Sequence, residues 1–393
     1  MKIIFDLFST QPFATHVKYN GGAEYVKNIF INFILENKVY KNEIYGLYDS
    51  RFEVDSKILK LCKEFNVQLL DIKKHDIEFY AILFKVDKIY IGIVQRYLNF
   101  KIPKDIEIIA VVHDLRDLEI FPSRSELFRL TKLNTFKGVL KLFLILAFYR
   151  IWKFYRYESN YRRYFIFFTS LTQSNSQIWA VSNHTKYILL SKFLFIESNN
   201  IKVYWSPEIN ANVKVKVVTE LKHEKFYLMI ASNNWEKNAL RVIDAFTELN
   251  NNNITLKLVI IGDIDSTILD LQIKKHSWIY NLSNIENSEI EWVYSNAQAL
   301  IYLSYVEGFG YPPLQSMKHG TPVLASSTSS IMEVCGDAPV YCCPYSDSEI
   351  IARLTFFLST DHSILKYKCS NRYYEINVKQ KKDLVDMIKE LHS

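Results

Sequence analysis

Short apolar runs alternating with stretches of helical spacing are the feature that most constrains this chain. The runs fall at 88–94, 106–112, 178–181, 226–231, 256–261, 299–303 and 323–325, and each ends near Gly, Asp, Ser or Asn. Between them apolar residues recur at three-and-four spacing, as in Val26, Ile29, Phe30, Phe33 and Ile34 after Gly21-Gly22. A run that is apolar throughout suits a strand buried on both faces, and strand-helix alternation returns each strand parallel to the last. The pattern therefore predicts an α/β fold with parallel sheets covered on both faces. At 393 residues the chain exceeds what one core usually serves, which predicts two such domains.

Periodicity breaks at 206–213, where a Ser-Pro-Glu sequence and asparagines intervene before a new strand-helix series. This gives an N-terminal domain at 1–208, a C-terminal domain at 209–380, and a terminal helix at 381–393 expected to return to the first domain. The opening Met1-Lys2-Ile3-Ile4-Phe5-Asp6 is too brief an apolar run for a signal peptide and reads as a buried first strand. Cys62, Cys335, Cys342, Cys343 and Cys369 are odd in number and lack metal-ligand spacing. They are expected to be free thiols in a reducing compartment, which places the chain in the cytoplasm. A net charge of +6 is too small for a surface-wide nucleic-acid binder, so no nucleic-acid partner is expected.

One segment departs from the alternation. From Lys132 to Arg163, eight Lys and Arg residues face the single acid Glu158 and are interleaved with Leu142, Phe143, Leu146, Phe148, Trp152, Phe154 and Tyr155. Its longest apolar run is far below the roughly 20 residues that span a bilayer. Two readings stay open: an interfacial amphipathic helix on an anionic membrane, or a helix pair packed on the first domain with snorkelling cations.

The stretch from Ser304 to Val323 carries the chemistry. A strand ending near Ser304 is followed by Glu307-Gly308-Phe309-Gly310, then by a helix with Pro312 and Pro313 in its first turn and Gly320 at its end. Glycine lets backbone amides approach a phosphate, and a helix N-terminus favours negative charge, so this is a strand-loop-helix anion site.

These residues resemble the signature of family 4 retaining glycosyltransferases, in which Glu, seven residues and a second Glu precede Gly-Thr-Pro-Val. Further stretches resemble other parts of that family in the right order: Gly21-Gly22-Ala23-Glu24, Val112-His113-Asp114-Leu115, Ala180-Val181-Ser182-Asn183-His184, Lys237-Asn238, and Glu333-Val334 with Gly336-Asp337-Ala338. The resemblance implies the GT-B fold, two Rossmann-like domains with parallel sheets facing across a deep cleft. It also implies transfer of a hexose from a nucleotide sugar to a saccharide or lipid-linked acceptor, with retention, no cofactor and no metal. GDP-mannose is the first expected donor, ahead of UDP-sugars and dTDP-rhamnose.

The resemblance implies roles as well. Lys237 and the Gly308, Phe309 and Gly310 amides would stabilise the departing diphosphate, Glu307 the donor sugar hydroxyls, and Gln315 the ribose. His113 would face the sugar or acceptor, Gly21 and Gly22 would border the phosphates, and Asp114, Asn238, Ser304 and Leu314 would complete the binding surface. Three positions depart from the family pattern: Gln315 replaces the second Glu, Ser232 an Arg, and Tyr373-Tyr374-Glu375-Ile376 an aromatic-Trp signature. Asp263-Ile264-Asp265 has metal-motif spacing but directly follows an apolar strand and Gly262, so it reads as a strand-end turn. A silent scaffold or sugar-binding subunit and a nucleotide-sugar epimerase are the competing readings. A dinucleotide-dependent dehydrogenase is disfavoured, because no Gly-x-Gly-x-x-Gly follows the first strand.

Overall fold

The computed structural model describes residues 1–12, 21–130, 136–209, 214–231, 234–251, 255–262, 264, 267–283 and 285–393. Lys132, Ser232, Asp263, Asp265 and the 210–213 part of the periodicity break lie outside the described residues.

Two all-parallel sheets result. The first contains β1 (Lys2–Asp6), β2 (Glu43–Tyr48), β3 (Gln68–Asp71), β4 (Lys88–Ile91), β5 (Glu107–Val112), β6 (Ser176–Ala180) and β7 (Ile201–Val203), in the order 3-2-1-4-5-6-7. The second contains β8 (Phe226–Ile230), β9 (Lys257–Ile261), β10 (Ile279–Leu282), β11 (Leu300–Tyr302), β12 (Val323–Ser326) and β13 (Val340–Cys342), in the order 10-9-8-11-12-13. Apart from β2, the central strands are apolar runs of the sequence, and most of their residues are buried on both faces. Around β1, Phe5 packs on Phe30 and Phe33 of the helix Gly21–Tyr40 and on Tyr90 of β4. Around β9, Leu258 and Ile260 share a core cluster with Ile243 and Phe246 of the helix Ala239–Asn251.

Strands β2, β3, β7, β10 and β13 have no counterpart among the apolar runs. Four of them are sheet edges of three or four residues, which pair on one side only and so tolerate polar positions such as Gln68, Lys202 and Asn281. Gly46 and Glu43 break the apolar signal in β2.

Strand order reverses between β1 and β4 in the first sheet and between β8 and β11 in the second. The carboxyl edge of such a switch point is where open α/β sheets leave a crevice for ligands. Lys237 and Glu307 follow β8 and β11; in the first sheet Gly21 and Gly22 follow β1, and His113 follows β5, the neighbour of β4.

The chain forms two compact units, Met1–Leu118 with Glu158–Ile209 and Asn377–Ser393, and Glu119–Tyr157 with Asn210–Ile376. The sequence reading put 132–163 with the first domain; in the structure Glu119–Tyr157 groups with the second unit. The terminal helix runs from Ser363 to His392 rather than over 381–393 alone. Buried polar residues hide it from a periodicity search: Gln380 donates to the Ser206 carbonyl at 2.6 Å, and Asp383 accepts the Trp205 amide at 2.8 Å. All five cysteines are free, and burial pushes Cys62, Cys335, Cys342 and Cys369 up to about 12, which makes them inert packing groups.

Candidate active site

In the second unit the loop after β11 is buried throughout from Leu303 to Gly310. Its shape is fixed from the start of the helix Ser329–Cys335. The Glu307 amide donates to Ser329 Oγ at 3.0 Å, the Ser330 hydroxyl donates to the Glu307 carbonyl at 2.8 Å, and the Thr328 hydroxyl donates to the Tyr305 carbonyl at 3.1 Å. Glu307 is thus held by its backbone on both sides, which leaves its carboxylate to chemistry.

Gly310, at φ +97°, caps the helix Tyr311–Lys318. A side chain there would be strained, whereas glycine adopts the conformation without cost. Pro312 and Pro313 bring no N–H to the first turn, so this helix end offers its dipole together with the amides of the glycine loop before it.

Lys237 ends a short turn, Trp235–Lys237, beyond β8. Asn238 follows in the left-handed conformation at φ +60°, buried, and its side-chain amide donates to the Leu303 carbonyl at 3.1 Å and the Pro344 carbonyl at 2.9 Å. The Tyr305 amide donates to the Glu236 carbonyl at 2.8 Å. These bonds tie the lysine turn to the glycine loop and place Lys237 Nζ 2.6 Å from Glu307 Oε1 and 5.5 Å from the centre of the Tyr302 ring.

Beside this pair the buried Tyr302 hydroxyl interacts with the Glu307 and Ser304 side chains, and Gln315 Oε1 is buried without a hydrogen-bond partner. Burial and the nearby Glu307 push the Tyr302 hydroxyl far above its usual range, so it stays protonated. Orphaned buried polar atoms are uncommon in folded proteins, and Gln315 Oε1 marks a position suited to a polar ligand. Leu314, the preceding residue, is buried.

The sequence did not single out Arg241, Tyr305 and Tyr345. Arg241 donates to the Tyr305 hydroxyl at 2.9 Å and pairs with Asp347. Tyr305 lies between Trp235 and Tyr345, with ring centres 5.7 and 4.7 Å away. Arg241 sits one helical turn beyond Lys237, a spacing that offered the only sequence signal.

The first unit holds the other candidates. His113 follows β5, and its Nε2 donates to the Gly92 carbonyl at 2.9 Å, while the Gly92 amide donates to Asp6 at the end of β1 at 2.9 Å. Tyr25, in the first turns of the helix that begins with Gly21 and Gly22, meets the His113 ring edge-on at 4.8 Å. Burial pushes His113 below its ordinary value, so it is neutral at pH 7 with Nδ1 as its remaining acceptor. Burial pushes the Asp114 carboxyl up, but the bidentate Arg116 guanidinium outweighs this and holds it at about 2.

Two all-parallel α/β units are the architecture of a GT-B fold. The chain has the fold of GT-B glycosyltransferase structures, among them Alr3699/HepE of Anabaena in complex with UDP and glucose, with a TM-score of 0.66 over 100% of this chain and 99% of that one at 13% identity. More particularly, residues 212–375 match the family model described as Glycosyl transferases group 1. It is similar to O-antigen chain mannosyltransferase B of Escherichia coli, 33% identical over 87 residues that cover 22% of this chain and 23% of that protein. It is also similar to O-antigen chain mannosyltransferase RfbU of Salmonella typhimurium, 33% identical over 81 residues that cover 21% and 22%. The matched stretches span less than a quarter of these two relatives' lengths.

Proposed function

We propose that the chain is a retaining, metal-independent glycosyltransferase that moves mannose from GDP-mannose to a saccharide or lipid-linked acceptor of surface polysaccharide, at the cytoplasmic face of an anionic membrane. The observation that carries this reading is the Lys237–Glu307 pair on a glycine loop at a switch point. Without donor, lysine and glutamate satisfy each other. A nucleotide sugar brings a diphosphate for Lys237 and sugar hydroxyls for Glu307, so both charges gain partners when it binds.

As the glycosidic bond to the diphosphate breaks, negative charge grows on the leaving oxygen. Lys237 and the Gly308, Phe309 and Gly310 amides are the groups that would stabilise it, and fixed donors of this kind need no reorganisation during the reaction. Glu307 holds the sugar, Gln315 the ribose, and neutral His113 offers an acceptor to a hydroxyl of donor or acceptor sugar. Gly21 and Gly22 border the phosphates. The mannosyltransferase names of the two bacterial relatives support mannose as the first donor sugar and a surface polysaccharide as the product.

The test is a panel of GDP-mannose, UDP-glucose, UDP-galactose and dTDP-rhamnose with purified protein and EDTA, reading release of the nucleoside diphosphate. Release from one donor that Lys237→Met abolishes supports transfer, and NMR of the product then has to show the donor's anomeric configuration. Donor binding without release favours a silent subunit, and isomerisation without release favours an epimerase.

A further inference from the structure

We propose that the exposed face of the helical stretch 139–155 lies flat in an anionic lipid surface and anchors the enzyme there. The inference rests on the reading of the chain as a membrane-surface glycosyltransferase and names the element that makes the contact.

Phe136–Ala147 and Tyr149–Thr172 are separated by Phe148 alone. The Phe148 amide donates to the Leu144 carbonyl at 3.0 Å and the Trp152 amide to the Phe148 carbonyl at 2.9 Å, so the helical ladder continues through the junction and the two segments share one phase. At about 100° per residue, the exposed apolar residues Leu140, Phe143, Leu144, Ile151, Phe154 and Tyr155 fall within roughly half of the helix circumference, along about 25 Å of axis. Phe143 is 67% exposed, Phe154 59% and Tyr155 68%, so most of each residue's surface faces solvent. The opposite side is engaged: Leu142 is buried, the Tyr149 hydroxyl donates to the Pro122 carbonyl at 2.8 Å, and Lys153 lies over the Phe121 ring.

Contiguous apolar surface of this extent marks an interaction site. Charge identifies the partner. Exposed Lys141 stands at one margin of the apolar face and exposed Arg150 at the other, and residues 137–157 contain no acid. Cations along both margins of an apolar, aromatic face match the headgroup and acyl layers of an anionic leaflet. No described helix is long and apolar enough to cross a membrane, so the face lies in the interface plane.

The test uses the full chain in flotation with vesicles of phosphatidylcholine alone or mixed with phosphatidylglycerol. The wild type is expected to float with the mixed vesicles. Phe143→Ser with Phe154→Ser is expected to lower partitioning by about tenfold or more, and Lys141→Gln with Arg150→Gln by roughly fivefold per charge at low salt. Phe356→Ser, exposed elsewhere, leaves it unchanged. Thermal shift with GDP or UDP in the same preparations keeps the two readings apart. Vesicle binding unaltered by both double variants, with the nucleotide shift intact, overturns the anchor and leaves glycosyl transfer standing. Vesicle binding that both double variants impair, without any nucleotide shift, supports the anchor and removes the transferase reading. A concentration-dependent dimer abolished by the Phe variants overturns the anchor in favour of a self-interface.

Discussion

Lys237 and Glu307 are 70 residues apart in sequence, yet Nζ and Oε1 stand 2.6 Å apart because Asn238 and Tyr305 stitch their two turns together. Both side chains are largely shielded, with 18% and 9% of their surfaces exposed.

Removing one partner of a buried pair leaves the other charge uncompensated, which costs about 3 to 5 kcal/mol at full burial. Lys237→Met is therefore expected to lower stability by roughly 3 kcal/mol and turnover by about a hundredfold or more. Glu307→Gln keeps shape and one acceptor, so it should cost less stability while turnover falls by a similar factor. Denaturant titration and kcat on each variant separate the two effects. Unchanged turnover in Lys237→Met would make the pair purely structural.

Asn238 combines a left-handed backbone with two buried hydrogen bonds. Asn238→Gly keeps the conformation and loses the bonds, whereas Asn238→Ala loses both. The alanine variant should be less stable than the glycine variant by about 1 kcal/mol, the left-handed penalty of a Cβ. Both should show weaker donor binding because Lys237 is no longer fixed. Equal melting temperatures for the two would mean that the backbone conformation relaxes freely.

Much of this architecture is legible in the sequence because its cause is local. Apart from β2, the central strands are apolar runs that must be buried on both faces, and the glycine loop needs Gly310 at a positive φ. The serine clamp on Glu307 was visible only as a Ser-rich stretch from Ser326 to Ser330, since nothing local says which backbone a hydroxyl will meet. The short edge strands, the Arg241–Asp347 pair and the surroundings of the buried Tyr302 hydroxyl are set by distant neighbours. The grouping of Glu119–Tyr157 with the second unit is equally non-local: Glu126 and Tyr305, 179 positions apart, interact side chain to side chain.

His392 gives the terminal helix a pH dependence. Its ring stacks on Tyr40 at 4.0 Å, Nδ1 accepts from Asn42 at 2.9 Å, and Nε2 donates to the Phe33 carbonyl at 3.1 Å, an arrangement that only the neutral ring satisfies. Burial, with a smaller push from Lys88, lowers its pKa to about 4. The unfolded chain, with a histidine near 6.5, binds a proton that the folded chain refuses. Stability is therefore full above about pH 6.5 and falls as pH drops toward about 4, by about 3 kcal/mol. His392→Gln should flatten this part of the profile, and the difference between the two denaturation curves isolates the residue from His113. Parallel profiles would rule the assignment out.

Gln315 stands where the resembling family has an acid, and its Oε1 is buried without a hydrogen-bond partner. The amide can meet a pair of ribose hydroxyls with one acceptor and one donor, whereas a carboxylate accepts from both with charge assistance. Hydrogen bonds to charged groups contribute about 1.5 to 3 kcal/mol against roughly 1 for neutral ones, so Gln315→Glu should bind donor up to about tenfold more tightly. The same substitution puts a carboxylate where an oxygen has no partner in the free protein, which costs about 1 to 3 kcal/mol of stability without ligand. The expected signature is a lower melting temperature alone, a larger upward shift with nucleotide, and similar turnover, because the ribose is remote from the reacting carbon. Calorimetric titration of nucleotide and donor kinetics read the two parts separately. If Gln315→Glu switches on turnover in a wild type that has none, the natural chain is a silent nucleotide-sugar-binding subunit and the transferase reading falls with it.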